Sequence, residues 1–147
     1  MLRNILGGIA GYVVMVVVAL AGIGVAWLAL GGSGAFDGEG PYPSTAWIVL
    51  NLMSGLIAAF LGGLAARKIG RSPLAVMILA GLVLVLGIIL ALTAESSYAK
   101  REPVEKPVAE MSFMEAGQHA KQPTWYNWVI PLVGAAGALA GGRDRRG

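Results

Sequence analysis

The sequence predicts an all-α integral membrane protein of four transmembrane helices, and three observations predict it. All 11 Lys and Arg residues and all 8 Asp and Glu residues fall outside four apolar runs, at 5–30, 44–66, 73–94 and 124–142. Of the 147 residues, 56% are hydrophobic and 13% charged, about half the charged share of a soluble domain. The runs also lack the polar face that a surface helix of a soluble bundle turns to water. The chain therefore reads as a single four-helix membrane domain over residues 1–147.

Each run is justified in turn. A helix needs roughly 20 apolar residues to cross a hydrocarbon layer of about 30 Å, and the first three runs meet that length. The first follows Arg3 and contains Ala19-Leu20-Ala21, features of a cleavable signal, but it continues apolar through Leu30 and reads as a retained helix. Residues 31–43 are rich in Gly and Pro, the composition of an irregular external loop. Between the second and third runs, Gly62-Gly63-Leu64-Ala65-Ala66-Arg67-Lys68-Ile69-Gly70-Arg71-Ser72-Pro73 reads as a basic hairpin, with Gly70 ending one helix and Pro73 starting the next. That segment also looks like the Gly-rich basic loop of major facilitator transporters, from which it departs at Arg67, where an acid is expected, and in having far too few helices. The third run is branched and leucine-rich, the best candidate for the lipid-facing helix. The fourth is the shortest, begins Thr124-Trp125-Tyr126, and contains Pro131, which removes a backbone donor and predicts a bend.

Charge sets the orientation. Arg3, Arg67, Lys68, Arg71, Arg143, Arg145 and Arg146 lie on one side against Asp144 alone, while Asp37, Glu39, Glu95, Glu102, Glu105, Glu110 and Glu115 gather on the other with Lys100, Arg101, Lys106 and Lys121. Because Lys and Arg accumulate on the cytoplasmic side, both termini are expected there, in a bacterial inner membrane. The net charge of +3 is accordingly an orientation signal and not a sign of nucleic-acid binding. The aromatic residues agree: Trp27, Tyr42, Trp47, Tyr98, Trp125, Tyr126 and Trp128, joined by Phe36 and Phe113, cluster at the opposite, outer helix ends, where for Trp and Tyr an apolar ring with a polar tip suits the headgroup region.

Small residues supply the expected packing faces. Gly7 and Gly11 lie one turn apart on the first helix; Asn51, Gly55 and Gly62 form a stripe on the second; Gly134, Ala138 and Gly142 form another on the fourth. In lipid, such residues let backbones approach and gain van der Waals contact. Asn51, with Ser54 nearby, is expected to pin two helices through a hydrogen bond.

The external loop at 95–123 has two halves. Tyr98 to Pro107 mixes charge with proline and predicts extended chain; Val108 to Ala120 predicts a short amphipathic helix with Val108, Met111 and Met114 toward the lipid interface. Met111, Met114 and His119 form a candidate soft-metal set, since thioether and imidazole suit monovalent copper; His119 is also a candidate tetrapyrrole or quinone contact. Asp37 and Glu39 alone make a poor calcium pattern. The lack of cysteine excludes disulfides and thiolate chemistry, and no nucleophile has a histidine and carboxylate arranged around it. No ring of membrane charges points to a channel or coupled transporter. No resident cofactor is predicted, and room is left for bound lipid or quinone.

The opening Met1-Leu2-Arg3-Asn4-Ile5-Leu6-Gly7-Gly8-Ile9-Ala10-Gly11, the Gly62 to Arg67 turn, and the stretch from Trp125-Tyr126 through Pro131 to Gly141-Gly142-Arg143 together resemble small bacterial four-helix membrane proteins to which no activity is attached. Those proteins often carry an acid or histidine late in the first helix, where this chain has Gly22 to Ala29 without one. The leading functional expectation is a non-enzymatic subunit or scaffold contacting another membrane protein, or a second copy, through small-residue faces and the aromatic rim. The alternative is a binding protein for a lipid, quinone or other isoprenoid-like ligand at the outer helix ends.

Overall fold

The computed structural model describes residues 1–38, 40–103 and 105–143, and every regular element among them is helical. Glu39, Val104, Asp144, Arg145 and Arg146, which entered the loop and charge arguments, lie outside the described residues. The elements are α1 (Leu2–Ala35), α2 (Thr45–Gly70), α3 (Pro73–Ala99), a 3-10 turn (Val108–Glu110), α4 (Phe113–His119) and α5 (Thr124–Gly141). Helices α1, α2 and α3 are each long and apolar enough to cross a membrane. Helix α5 has 18 residues, about 27 Å at 1.5 Å per residue, and its first turn is polar and aromatic, so it stands outside that set.

The helix ends are set by local chemistry. Helix α1 breaks at Gly31, whose φ of 62° suits glycine, and resumes for one turn to Ala35, so the α1–α2 loop starts later than its glycines suggest. Hydrogen bonds from Ser44 N to Ala35 O (2.8 Å) and from Asp37 N to Tyr42 O (3.0 Å) then bring Phe36 and Asp37 beside Tyr42 and Pro43. Ser44 caps α2 by accepting from Trp47 N (3.2 Å) while its hydroxyl donates to Gly34 O (2.6 Å). At the next turn the left-handed residue is Arg71, not Gly70. Gly70 is required for another reason, because a methyl there would run into Ala75 Cβ. Helix α3 continues past residue 94 to Ala99, its polar last turns satisfied locally by Thr93, Ser96 and Ser97 hydroxyls donating to carbonyls one turn back.

Helix α1 packs chiefly along α2, α5 sits against both α2 and α3, and α3 returns to α1, so the long helices run round in the order α1, α2, α5, α3. At the basic end, Ala66, Val76, Leu79, Val83 and Ala138 form the core, with Tyr12 and Met15 against it. Only 6% of the most apolar stretch of α1 is buried, against 28% for α3. This reverses the expectation that the third helix faces lipid: its Ala75, Val76, Leu79, Ala80 and Val83 make a small-and-branched stripe at helical spacing that neighbours cover. Pro131 does not interrupt α5; the helix runs through it, and the ring is buried where Gly87 of α3 leaves space.

The segment at 95–123 also differs from expectation. Val108 to Ala120 is not one helix, because Met111 is extended and Ser112 restarts the chain as the N-cap of α4 through a reciprocal capping box with Glu115. Val108 and Met111 turn inward, forming a second core with Ala35, Phe36 and Ala116, while Met114 alone of the three is 74% exposed. The carbonyl of Val108 sits where a side chain at Gly32 would be, which fastens this segment to the end of α1.

Candidate functional site

The aromatic end holds a pocket built by four elements. Trp27 on α1 and Trp47 on α2 meet edge to face with centroids 6.0 Å apart, and Phe113, the first residue of α4, sits 5.9 Å from Trp27 in the same manner. Such pairs favour this geometry because the positive ring edge meets the negative face. Beside them lies a cavity of about 230 Å³ whose walls include Ile23, Trp27, Phe36, Trp47, Phe113 and Ala116. Asn51, Tyr98, Arg101 and Gln122 contribute its polar margin. Asn51 Nδ2 donates to Trp47 O of its own helix (2.9 Å), so this bond orients the amide along α2 and does not join two helices as expected.

Arg101 fastens the outer wall. Its Nη1 donates to the carbonyls of Gly117 (3.3 Å), Gln118 (3.4 Å) and Ala120 (2.5 Å) at the end of α4, where a cation also meets the negative end of the helix dipole. The same guanidinium lies 4.7 Å over the Tyr98 ring, and Tyr98 Oη accepts from Gln122 N at 3.2 Å. Lys121 N donates to Pro41 O (2.7 Å), tying the α4–α5 connection to the α1–α2 connection. At the other end of α4, Lys106 Nζ donates to Glu115 Oε1 (2.7 Å) and Ser112 N donates to Glu115 Oε2 (2.8 Å). The hydrogen bond from Lys106, then those from Ser112, hold the Glu115 carboxyl down at about 2, and Glu115 in turn raises Lys106 above its ordinary value. The Nε2 of His119 and Oε1 of Gln122 are buried without a hydrogen-bond partner among the described residues, and the His119 ring packs 5.5 Å from Phe36.

The structure thus divides the rim residues. Trp27, Trp47 and Tyr98 converge on the cavity; Tyr42, Trp125, Tyr126 and Trp128 do not line it. Trp125 and Trp128 are exposed on α5, and Tyr126 is buried. The seam residues divide as well. A methyl at Gly7 would lie 2.7 Å from Gly70 N, one at Gly11 2.6 Å from Gly62 O, and one at Gly134 2.9 Å from Val83 Cγ1. Ala138 is fully buried beside Gly63, and Gly142 meets Val76, whereas Gly55 faces open space. The three soft-metal candidates are distributed between a buried Met111, an exposed Met114 and a His119 set edge to face against Phe36. Among the described residues no group of three or more His, Asp or Glu is placed to hold a metal ion.

Sequence reasoning placed Phe36 and Phe113 among the aromatic residues of this end but missed Ile23, Arg101, Ala116 and Gln122. Two signals were present: Ile23 with Trp27 and Trp47 with Asn51 are spaced by four, hence on one helix face, and Ser112 with Glu115 has capping-box spacing that places Phe113 at a helix start. On the other side of the α1–α2 pair, Val18, Gly22, Ala26, Leu50, Met53 and Ser54 line an apolar groove of about 490 Å³. No family model, curated protein or solved structure matches the chain.

Proposed function

We propose that the protein is a non-enzymatic, multi-pass membrane protein that binds the ring-bearing end of a lipid-soluble molecule of quinone or isoprenoid-like type. The observation that carries this reading is the cavity between Trp27, Trp47 and Phe113, apolar in its walls and polar at one margin. That combination holds a ligand body and fixes its orientation. Its volume of about 230 Å³ exceeds the roughly 150 Å³ that suffices for benzene, so it suits one substituted ring with the attached chain left outside.

In the same reading α5 is the fourth span and both termini are cytoplasmic in a bacterial inner membrane. Arg3 Nε donates to Gly70 O (3.2 Å), which brings the N-terminus to the basic turn between α2 and α3. Gathered basic residues at that end support the orientation. A second reading, the scaffold, is favoured by a separate observation: α1 is the least buried long helix and its outer half borders the apolar groove. There another membrane protein, or a second copy, would pack.

Native mass spectrometry after gentle extraction tests both. The ligand reading expects a retained small apolar molecule that Ala116→Trp, which fills the cavity, abolishes while the fold is kept. Retention unchanged in that variant sinks it. A partner or second copy that survives Ala116→Trp but is lost on Gly22→Leu would instead support the scaffold.

A further inference from the structure

We infer that the molecule taken up by the aromatic pocket carries a ring hydroxyl that donates to Asn51 Oδ1, so that the pocket selects a hydroquinone over the corresponding quinone. This rests on the reading of the pocket as a ligand site and names the chemical form that the site takes. Two amide side chains line the cavity of about 230 Å³, Asn51 from α2 and Gln122 from the connection before α5. The Asn51 nitrogen is committed, because Nδ2 donates to Trp47 O at 2.9 Å and only the nitrogen end of an amide can do so. That bond fixes which way round the amide sits and leaves its oxygen, the other arm, with no hydrogen bond among the described residues. Gln122 adds a second acceptor at the same margin, its Oε1 buried and without a partner among the described residues.

The donors at this margin do not discriminate between the two forms. Tyr98 Oη accepts from Gln122 N (3.2 Å) and keeps its own hydroxyl hydrogen, which a quinone carbonyl and a hydroxyl oxygen accept alike. The acceptors do discriminate. A carbonyl can only accept, so a bound quinone would close the cavity over an unpaired Asn51 oxygen, whereas a hydroxyl donates to that oxygen and still accepts from Tyr98. A buried acceptor left unpaired costs more than an ordinary hydrogen bond contributes, and a site built around a hydroxyl rejects the analogue without one for that reason. Water is a poor substitute at this depth. Asn51 lies about 10 Å along α2 from its cap Ser44, at 1.5 Å per residue, and shares the cavity wall with Ile23, Trp27 and Trp47. A ring suits these walls better than an open chain, because Trp27, Trp47 and Phe113 already meet edge to face and a further aromatic ring extends that arrangement.

The test is equilibrium dialysis of the full chain in detergent, without oxygen, against tetramethylhydroquinone, tetramethylbenzoquinone and the dimethyl ether of the hydroquinone, with protein-free micelles as the reference. The ether keeps the ring and both oxygens but has no O–H. The wild type should bind the hydroquinone about tenfold more tightly than either of the others, on the scale of one buried acceptor left unpaired. Asn51→Leu, which gives up only a bond within α2, should bring the hydroquinone down to the level of the quinone and leave the quinone's own affinity as it was. Should that variant fail to fold, Gln122→Met, outside the helices, removes the second acceptor and should lose part of the preference. Equal binding of the three probes by the wild type, or a preference that the folded variant leaves intact, overturns the inference; where Ala116→Trp abolishes that binding, the pocket remains a ligand site and only the choice of the hydroxyl falls. Binding of none of the probes, or binding that Ala116→Trp leaves unchanged, overturns the inference and the ligand reading together.

Discussion

The two ends of α1 and α2 are joined by different means. At the basic end backbone meets backbone, with Gly7 against Gly70 and Gly11 against Gly62; at the aromatic end Trp27 and Trp47 stand between the same helices and leave a cavity beside them. Lipid already solvates apolar side chains, so association in a bilayer depends on close packing and not on burial from water. The glycine end therefore holds the helices together, and the aromatic end leaves room for a cavity. Helix α5 strengthens the first end: a side chain at Gly63 would run into Ala138 O, and one at Gly141 into Phe60 O.

The most direct way to break this contrast is Gly63→Leu. The obstacle is a backbone carbonyl on α5, which no rotamer change removes, so overpacking should destabilise by about 3 kcal/mol or more. Thermal unfolding in detergent checks it. A loss below about 1 kcal/mol would show that the glycine end does not hold the helices together as argued. Next in size is Arg101→Gln, which removes the cation bridging three carbonyls at the end of α4. Amide exchange in α4 should rise about tenfold, the loss of one charge-assisted hydrogen bond of about 1.5 kcal/mol, while exchange at Gly62 to Ala66 stays as it was. If both ends loosen together, they are one cooperative unit and the comparison fails.

How far each end was legible in the sequence follows from the range of the forces. Charge segregation and apolar length are local, so the three long apolar helices and the hairpin at Arg67 to Pro73 were readable. So was the spacing of Gly7, Gly11 and Gly62. Spacing does not say what stands opposite, however, and Gly55, on the same stripe as Gly62, faces open space. The pocket was half readable: Trp27, Trp47 and Tyr98 were found as outer aromatics, but Trp125 and Trp128 have the same chemistry and lie elsewhere. What selects among them is the inward turn of Val108 and Met111 onto Phe36. Val108 and Met111 have the apolar spacing of a lipid-facing helix; the Ser112 cap breaks that helix and sends them to the protein instead.

Gly55→Ala sharpens the contrast from the other side. With nothing within 4 Å of the added methyl, the substitution should be neutral or stabilise by roughly 0.5 kcal/mol through the lower backbone freedom of alanine, against the large loss at Gly63. A loss comparable to that of Gly63→Leu would mean that Gly55 meets a partner absent from the isolated chain, and would favour the scaffold reading over the ligand.

The smallest expected effect concerns the ion pair at the start of α4. The Glu115 carboxyl sits at about 2 in the folded chain against an ordinary 4.5. A depressed carboxyl contributes stability that is fully present above the ordinary value and is lost as pH falls through the folded one, so α4 should loosen between about pH 4.5 and 2. Lys106, raised by the same contact, contributes in the opposite sense: its share is present below its ordinary value of 10.5 and disappears as pH rises through the raised one. Between those limits the pair should be insensitive to pH. The ratio of α4 amide exchange in Glu115→Gln to that in the wild type, at each pH, cancels the intrinsic pH dependence of exchange. It should be steady near neutrality and approach one near pH 2. Because both side chains are exposed, salt should shrink the ratio further. A ratio of one throughout would mean that Arg101, at the far end of α4, holds that helix without help from the pair. The cover of the aromatic pocket would then hang on a single residue.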